Sequence, residues 1–376
     1  MVLITLLLRP PLAVIGPLLN SIRIDLGLSS AEVGVLTSIP VLCFGIGAFA
    51  GPRLLKRFGL FGSFTAILVV VTLTLATRAW FGFGYLLLAT IALGIGIALS
   101  NVLFPTLILA EFPTSVPKMT AVYTTLLSVF AAGAAGLAFP MASMLGGWRA
   151  ELTWLAVPGV LAILTWRFTA NLTQVSASVE SKVQTARNLW THPLAWSLAA
   201  FFGLQSANFY VLLNWMPSML ISEGMTPVAA GGVLAFMSSV GVPVGLLLTA
   251  NLKRLAARST LLVAAISVVT ATGMAMLALG PVWVWVASVF IGVGLSSSFP
   301  LSLALIGMKG GSQANTTSLS AIAQGMGYLI AAASVFLAGW LESYVGSWFP
   351  VMLALVIASL AQAFAGIFAA KHRPIE

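Results

Sequence analysis

An arginine near the start of the chain, inside an otherwise apolar segment, is the residue with the clearest chemical potential. Arg9 follows three leucines and precedes Pro10 and Pro11, and the apolar run continues to about Leu19. Near the centre of a bilayer an arginine costs about 2.5–3.5 kcal/mol on insertion scales, so it persists mainly where it faces a wet cavity or a counter-charge. The two prolines weaken the helix at the same point. The pattern favours a guanidinium that faces a cavity; the alternative is an arginine that extends to the membrane surface.

The acidic residues are placed where they cannot neutralise Arg9. Glu111 and Glu151 fall at the ends of apolar segments and the other acids fall in the gaps between them. A guanidinium binds small oxyanions and carboxylates through two parallel donors. We therefore expect Arg9 to be the main ligand of a small anion, with its charge neutralised by the substrate.

Composition places the whole chain in a membrane. Of its 376 residues 60% are hydrophobic and 7% charged, and the mean hydropathy is +1.08, which a solvated surface cannot accommodate. The net charge of +9 comes from residues in short gaps and forms no stripe of the kind that binds nucleic acid. One cysteine and two histidines exclude a disulfide framework and argue against a His/Cys metal cluster, so we expect no metal or cofactor.

Twelve apolar segments are long enough to cross a core of about 30 Å. We number them spans 1 to 12, and they lie at about 1–20, 31–52, 60–78, 80–110, 118–146, 151–169, 193–221, 227–250, 259–279, 281–307, 313–341 and 347–370. Thirteen of the 17 basic residues fall in the gaps on one side and three, Arg23, Arg78 and Arg149, on the other. The positive-inside rule then predicts a multi-pass protein of the cell (inner) membrane with both termini cytoplasmic. Span 1 lacks a basic leader and a cleavage site, so we expect it to be retained.

A polar linker at 171–192 divides the chain into six-span bundles at 1–170 and 193–376, and each bundle repeats the other. Gly27-Leu28-Ser29 with Gly34 is echoed by Gly224-Met225-Thr226 with Gly231, at an offset of 197 residues. Gly94-Ile95-Gly96 is likewise echoed by Gly292-Val293-Gly294. Ser29 and Thr226 are the predicted N-caps of spans 2 and 8. The register of these echoes predicts a duplicated six-helix unit.

The loop Gly51-Pro52-Arg53-Leu54-Leu55-Lys56-Arg57-Phe58-Gly59, together with twelve spans and a central linker, resembles the signature of the major facilitator superfamily. The runs Leu8-Arg9-Pro10, Asp25-Leu26-Gly27-Leu28-Ser29, Gly203-Leu204-Gln205-Ser206 and Ser298-Phe299-Pro300-Leu301 resemble its cyanate and nitroimidazole permease (CynX/NimT-type) branch. Leu55 stands where most of the superfamily has an aspartate, so the charge relay proposed for that loop cannot operate here as usually drawn.

The resemblance implies the all-α fold of two pseudo-symmetric six-helix bundles and a substrate cavity lined by spans 1, 4, 7 and 10 near the midplane. The candidate substrate-binding residues are Arg9, Asn101, Gln205, Asn208, Phe209, Tyr210, Ser298 and Gln324. Gln324 is a second-rank candidate, as are Tyr123 and Tyr328. Gln205, Asn208 and Phe209 are spaced to share one helix face. The alternative for the amides is binding to neighbouring helices. Candidate gating residues are Gly51, Arg53, Lys56, Arg57, Gly59, Pro105, Pro217 and Pro300.

These observations predict a secondary active transporter that works by alternating access. Its expected solute is a small anionic or polar organic molecule, such as a cyanate-like anion, a small carboxylate or a nitro compound. The alternative is drug-type efflux of neutral aromatic compounds. A membrane enzyme or a sensor that does not transport is a distant alternative, because no histidine–carboxylate pair lies in the membrane, and we expect no enzyme. The expected partners are the solute, the bilayer and a coupling proton or counter-anion, and the resemblance implies a monomer.

Overall fold

The computed structural model describes residues 2–112, 116–170, 189–255, 258–310 and 313–375. Within these ranges the chain is helical and forms no strand. The linker predicted at 171–192 lies mostly outside them.

In the described ranges the helices can be assigned in chain order to the twelve predicted spans. Their bounds are Val2–Leu6, Pro10–Ala13 and Ile15–Leu26 for span 1; Ser30–Thr77 for spans 2 and 3 together; Gly82–Glu111; Val116–Leu145; Trp148–Trp154 and Ala156–Ala170 for span 6; Pro193–Ser222; Pro227–Leu255; Ser259–Ala278; Pro281–Trp283 and Val284–Lys309 for span 10; Gln313–Val345; and Phe349–Lys371. Spans 2 and 3 are divided at Gly59, whose φ of +65° and ψ of 178° are not helical.

Length and apolar character place this bundle in a membrane. In the described part of the chain nine helices are long and apolar enough to cross a bilayer, or ten if the bent span 1 is included. Exposed tryptophans lie near both ends of the bundle, where aromatic side chains commonly meet the membrane surface; they include Trp80, Trp283 and Trp285 at one end and Trp190 and Trp196 at the other. The chain is therefore a multi-pass membrane protein.

Span 1 is interrupted twice, at residues 7–9 just before its two prolines and again at Val14. Its two parts, Val2–Ala13 and Ile15–Leu26, meet at an angle of 51°. The backbone carbonyl of Arg9 accepts from the N–H groups of both Leu12 and Ala13, at 3.1 and 3.0 Å. The first interruption therefore ends at Arg9, and the 51° bend lies at Val14, five residues farther along the chain.

The predicted repeat is visible in the turns and caps. Glycines with positive φ occur in pairs at nearly constant offset: Gly27 with Gly224, Gly82 with Gly280, and Gly147 with Gly346. These turns lie at one end of the bundle, which we call the far end; the opposite end, which holds the C-terminus, we call the terminus end. Both predicted N-caps are confirmed: Ser29 forms a capping box with Glu32, and the Thr226 hydroxyl accepts from the N–H of Ala229.

The two halves of the chain meet closely at the far end. A methyl group on Gly16 of span 1 would overlap the carbonyl oxygen of Leu213 in span 7. One on Gly231 of span 8 would lie 2.9 Å from the carbonyl oxygen of Ala135 in span 5. Glycine permits such approaches because it has no side chain to displace. The far end is thus closed by backbone contacts between the halves.

Candidate functional site

A cavity of about 520 Å³ lies between the two halves of the chain. Its walls come from the middle of the helices and from the parts nearer the terminus end, so the glycine contacts close it off from the far end. Spans 1, 5, 7, 8, 10 and 11 line it, and the lining includes Arg9, Thr124, Thr125, Ser128, Gln205, Ser206, Phe209, Tyr210, Ser238, Ser296, Phe299, Pro300 and Tyr328.

Arg9 faces this cavity, as the sequence predicts for a guanidinium inside an apolar segment. Its Nη1 donates to the Tyr210 hydroxyl at 3.5 Å, which is long for a hydrogen bond. Its guanidinium carbon lies 5.1 Å from the centre of the Phe209 ring and 6.0 Å from that of Tyr210, within the range of cation–π attraction. In the described part of the chain no carboxylate pairs with Arg9; the ion pair found there joins Arg149 to Asp25 at the far end. The positive charge is held by aromatic faces and remains available to an anion.

Aromatic rings build the wall around Arg9. Tyr210 contacts Tyr328 with ring centroids 6.3 Å apart, and Phe44 contacts both, at 6.0 and 5.5 Å. Tyr328 also meets Phe202 edge to face at 5.1 Å. A rigid, largely apolar wall around one cation suits a small, flat ligand.

Polar groups on the other walls are small. Gln205 Nε2 donates to the Ser206 hydroxyl at 2.7 Å, and both residues line the cavity. Hydroxyls from spans 5, 8 and 10 complete the lining, among them Ser128, Ser238 and Ser296. These groups can orient a polar solute without adding charge.

Four of the predicted site residues lie elsewhere. Asn208 is fully buried and its amide donates to Ser359 and Gln362 of span 12, so its side chain points away from Arg9. Ser298 accepts from the Gln362 amide at 3.1 Å and belongs to the same buried network.

Asn101 and Gln324 are also outside the lining. Asn101 accepts from the hydroxyl of Tyr123 in span 5, at 3.1 Å, and Gln324 donates to Ser320 in its own helix. The expectation that spans 1, 4, 7 and 10 form the wall needs correction, since spans 5, 8 and 11 contribute where span 4 does not. The hydrogen bond from Tyr123 shows that the Asn101 side chain is engaged with span 5 outside the cavity.

The predicted gating residues are described in part. Gly59 breaks the chain between spans 2 and 3, Pro300 lines the cavity, and Pro217 is buried within span 7. The Arg57 guanidinium lies 5.3 Å from the Phe58 ring centre. Gly51 lies within the helix of spans 2 and 3, and the side chains of Arg53, Lys56 and Pro105 are outside the described part of the structure.

Arg78 is placed differently from the sequence interpretation. It was expected in a surface gap, but only 1% of its surface is exposed. Its Nη1 and Nη2 both lie 3.4 Å from the carbonyl oxygen of Pro11. The side chain folds inward from the end of span 3, and counting charges in the gaps cannot reveal that direction.

Comparison with known proteins gives consistent matches over nearly the full chain. The family model described as Major Facilitator Superfamily matches residues 1–331. The chain is 33% identical over 380 residues to the transporter YycB of Bacillus subtilis, covering 98% of this chain and 92% of that protein. It is 30% identical over 360 residues to the 2-nitroimidazole transporter of Escherichia coli (96% and 91%) and 29% identical over 355 residues to its cyanate transport protein CynX (93% and 90%).

Solved structures match the fold. The crystal structure of a D-xylose-proton symporter superposes with a TM-score of 0.77 at 17% identity, covering 99% of this chain and 96% of that one. The inward-open xylose transporter XylE of E. coli gives 0.79 at 16% identity, with coverage of 99% and 94%.

Proposed function

The chain belongs to the major facilitator superfamily, and on that premise we propose that it is a secondary active transporter of a small anion or small polar organic solute. It is a membrane transporter similar over nearly its full length to proteins named for 2-nitroimidazole and cyanate transport. The proposed solute class comprises cyanate-like anions, small carboxylates and small nitro compounds.

The observation that carries this proposal is the position of Arg9. Its guanidinium lines the cavity between the halves, and its described contacts are the Tyr210 hydroxyl and the rings of Phe209 and Tyr210. A buried cation without a carboxylate partner is costly, and an anionic solute supplies the missing charge. Gln205 and Ser206 would then orient the solute from the opposite half of the chain.

The proposed mechanism is alternating access between bundles 1–170 and 193–376. The basic residues of the gaps support cytoplasmic termini in an inner membrane. In that orientation the far end is extracellular and the structure represents a state closed to the outside. Transport would require Gly16 and Gly231 to separate from spans 7 and 5 while the opposite side of the cavity closes.

Efflux of neutral aromatic compounds is the second candidate, and the aromatic wall supports it. Phe209, Tyr210, Phe299 and Tyr328 all line the cavity and could stack on a planar uncharged ring. In that case Arg9 would be a structural residue held by the same rings.

Thermal stability of the purified protein separates the two candidates. A ligand that binds the native state raises the melting temperature by mass action. Cyanate, nitrate and short carboxylates should stabilise the wild type and leave the Arg9→Gln variant unchanged. Equal stabilisation of both proteins by neutral nitroaromatics, with no response to anions, would replace the anion proposal by the efflux proposal.

A further inference from the structure

Arg78 is a second buried cation between the two halves of the chain. It follows the last residue of span 3 and ranks first by volume among the fully buried side chains of the described part. Charged side chains of this size are rarely fully buried without a partner. A specific reason for its burial is therefore needed.

The contacts of Arg78 leave most of its hydrogen-bonding capacity unused. Both terminal nitrogens share one acceptor, the Pro11 carbonyl, at the long distance of 3.4 Å, and Nε has no partner. In the described residues no carboxylate pairs with it. One carbonyl dipole does not replace the hydration of a guanidinium, so the closed state holds this charge at a cost.

A small cavity of about 10 Å³ adjoins Arg78. Thr37 and Thr90 border it, but their hydroxyls donate to carbonyls of their own helices. This volume is about the size of one water molecule, so no anion fits while the far end is closed.

Span 7 covers this small cavity from the other half of the chain. Tyr210, Leu213 and Asn214 form that cover, and Leu213 is also the residue whose carbonyl touches Gly16. Tyr210 lines both cavities and separates the Arg78 cavity from the Arg9 cavity. Separation of spans 1 and 7 would expose Arg78 toward the far end.

We propose that Arg78 forms a second binding site for the small anionic solute. This site is buried and too small for an anion in the closed state, and it becomes available when the far end opens. This inference rests on the proposed function. A guanidinium with an unpartnered Nε offers two parallel donors to an oxyanion. The solute is exchanged between Arg78 and Arg9 on either side of Tyr210, so Arg78 governs affinity on the far side only.

The test compares entry of radiolabelled cyanate from the two sides, in right-side-out and everted membrane vesicles. Arg78→Lys retains the charge but loses the paired donors, and Arg78→Gln loses both. Arg23→Gln is the matched control, because Arg23 is an exposed arginine at the same end of the bundle. We expect Arg78→Lys to raise the half-saturating concentration on the far side about tenfold and to leave that on the terminus side within about twofold.

Equal changes on both sides, or no change in Arg78→Lys, would overturn this inference. If Arg78→Gln does not fold, Arg78→Lys alone tests the inference, and comparison of its melting temperature with that of the wild type is the control for folding. A loss of far-side affinity in Arg23→Gln of the same size would assign the effect to surface charge and also overturn it. Arg9→Gln, measured in parallel, tests the proposed function separately. Normal cyanate entry in that variant would contradict the proposed function, whatever result the Arg78 variants give.

Discussion

The guanidinium of Arg9 lies over the ring of Phe209, 5.1 Å from its centre, although the two residues belong to opposite halves of the chain. The hydroxyl of the adjacent Tyr210 accepts the one hydrogen bond found for the Arg9 side chain among the described residues, at 3.5 Å. A cation held by rings keeps its donors free, because aromatic faces attract the charge without occupying its N–H groups.

Substitutions of Arg9 should abolish or strongly reduce transport while the protein still folds. Arg9→Gln should lower the ratio of maximal rate to half-saturating concentration about a hundredfold, and Arg9→Lys about tenfold, because an ammonium lacks the paired donors. Uptake into proteoliposomes measures the effect, and melting temperature is the control for folding. Wild-type uptake by Arg9→Gln would refute the anion-ligand role.

Phe209→Leu should weaken solute binding more than Tyr210→Phe does. Loss of the Phe209 ring removes a cation–π contact worth about 0.5–2 kcal/mol and lets the guanidinium move. Tyr210→Phe keeps its ring and removes only a long hydrogen bond, so we expect less than about a threefold change. Isothermal titration with the anion that stabilises the wild type ranks the variants; the reverse order would mean that the hydroxyl positions Arg9.

Gly231→Ala should favour the conformation that is open at the far end. Its methyl group would lie 2.9 Å from the Ala135 carbonyl, and separation of spans 5 and 8 would relieve this contact. Gly232→Ala is the control, since a methyl group there meets nothing within 4 Å. The reporter is a cysteine introduced at the buried position of Thr37, in a protein from which Cys43 has been removed. Because opening exposes this cysteine, it should react with a polar thiol reagent at least about five times faster in Gly231→Ala than in Gly232→Ala. Equal rates would show that this glycine does not control closure.

Gln362→Leu should destabilise the protein and leave solute affinity almost unchanged. The Gln362 amide donates to Ser267 and Ser298, and its oxygen accepts from Asn208, all in a buried network away from the cavity. Such hydrogen bonds are worth about 0.6–2 kcal/mol each in membrane proteins, so the melting temperature should fall. Gln205→Leu, in contrast, should reduce the affinity for the solute and should lower the melting temperature only slightly. A tenfold loss of affinity in Gln362→Leu would place the network in the binding site.

The sequence predicts the parts of the fold that follow from composition and periodicity. Twelve spans, the N-caps at Ser29 and Thr226 and the duplicated turns all depend on local patterns. Arg9 could also be found, because the cost of a charge within an apolar run is a property of the sequence itself.

The residues that were misplaced depend on helix rotation and on tertiary packing. Asn208 and Phe209 are neighbours in the chain, yet one binds span 12 and the other lines the cavity. A helical repeat does not say which neighbour each face meets. Ser238 and Ser296 were missed because small hydroxyl residues in a membrane helix look the same in sequence whether they pack or line a cavity. Arg78 was misplaced because the direction of a side chain at a helix end depends on its surroundings.

The bend in span 1 lies at Val14, five residues after the cavity-facing Arg9, and makes that position a mechanical pivot. The segment Val2–Ala13 carries Arg9 on one side of this bend, and the segment Ile15–Leu26 extends from the bend toward the far end. Twelve helical residues form a lever about 18 Å long, so a ten-degree change in the bend would displace its tip by about 3 Å. Gly16 lies at the base of this lever, against span 7. A small displacement of Arg9 by its solute can therefore be amplified at the far end through the geometry of one helix.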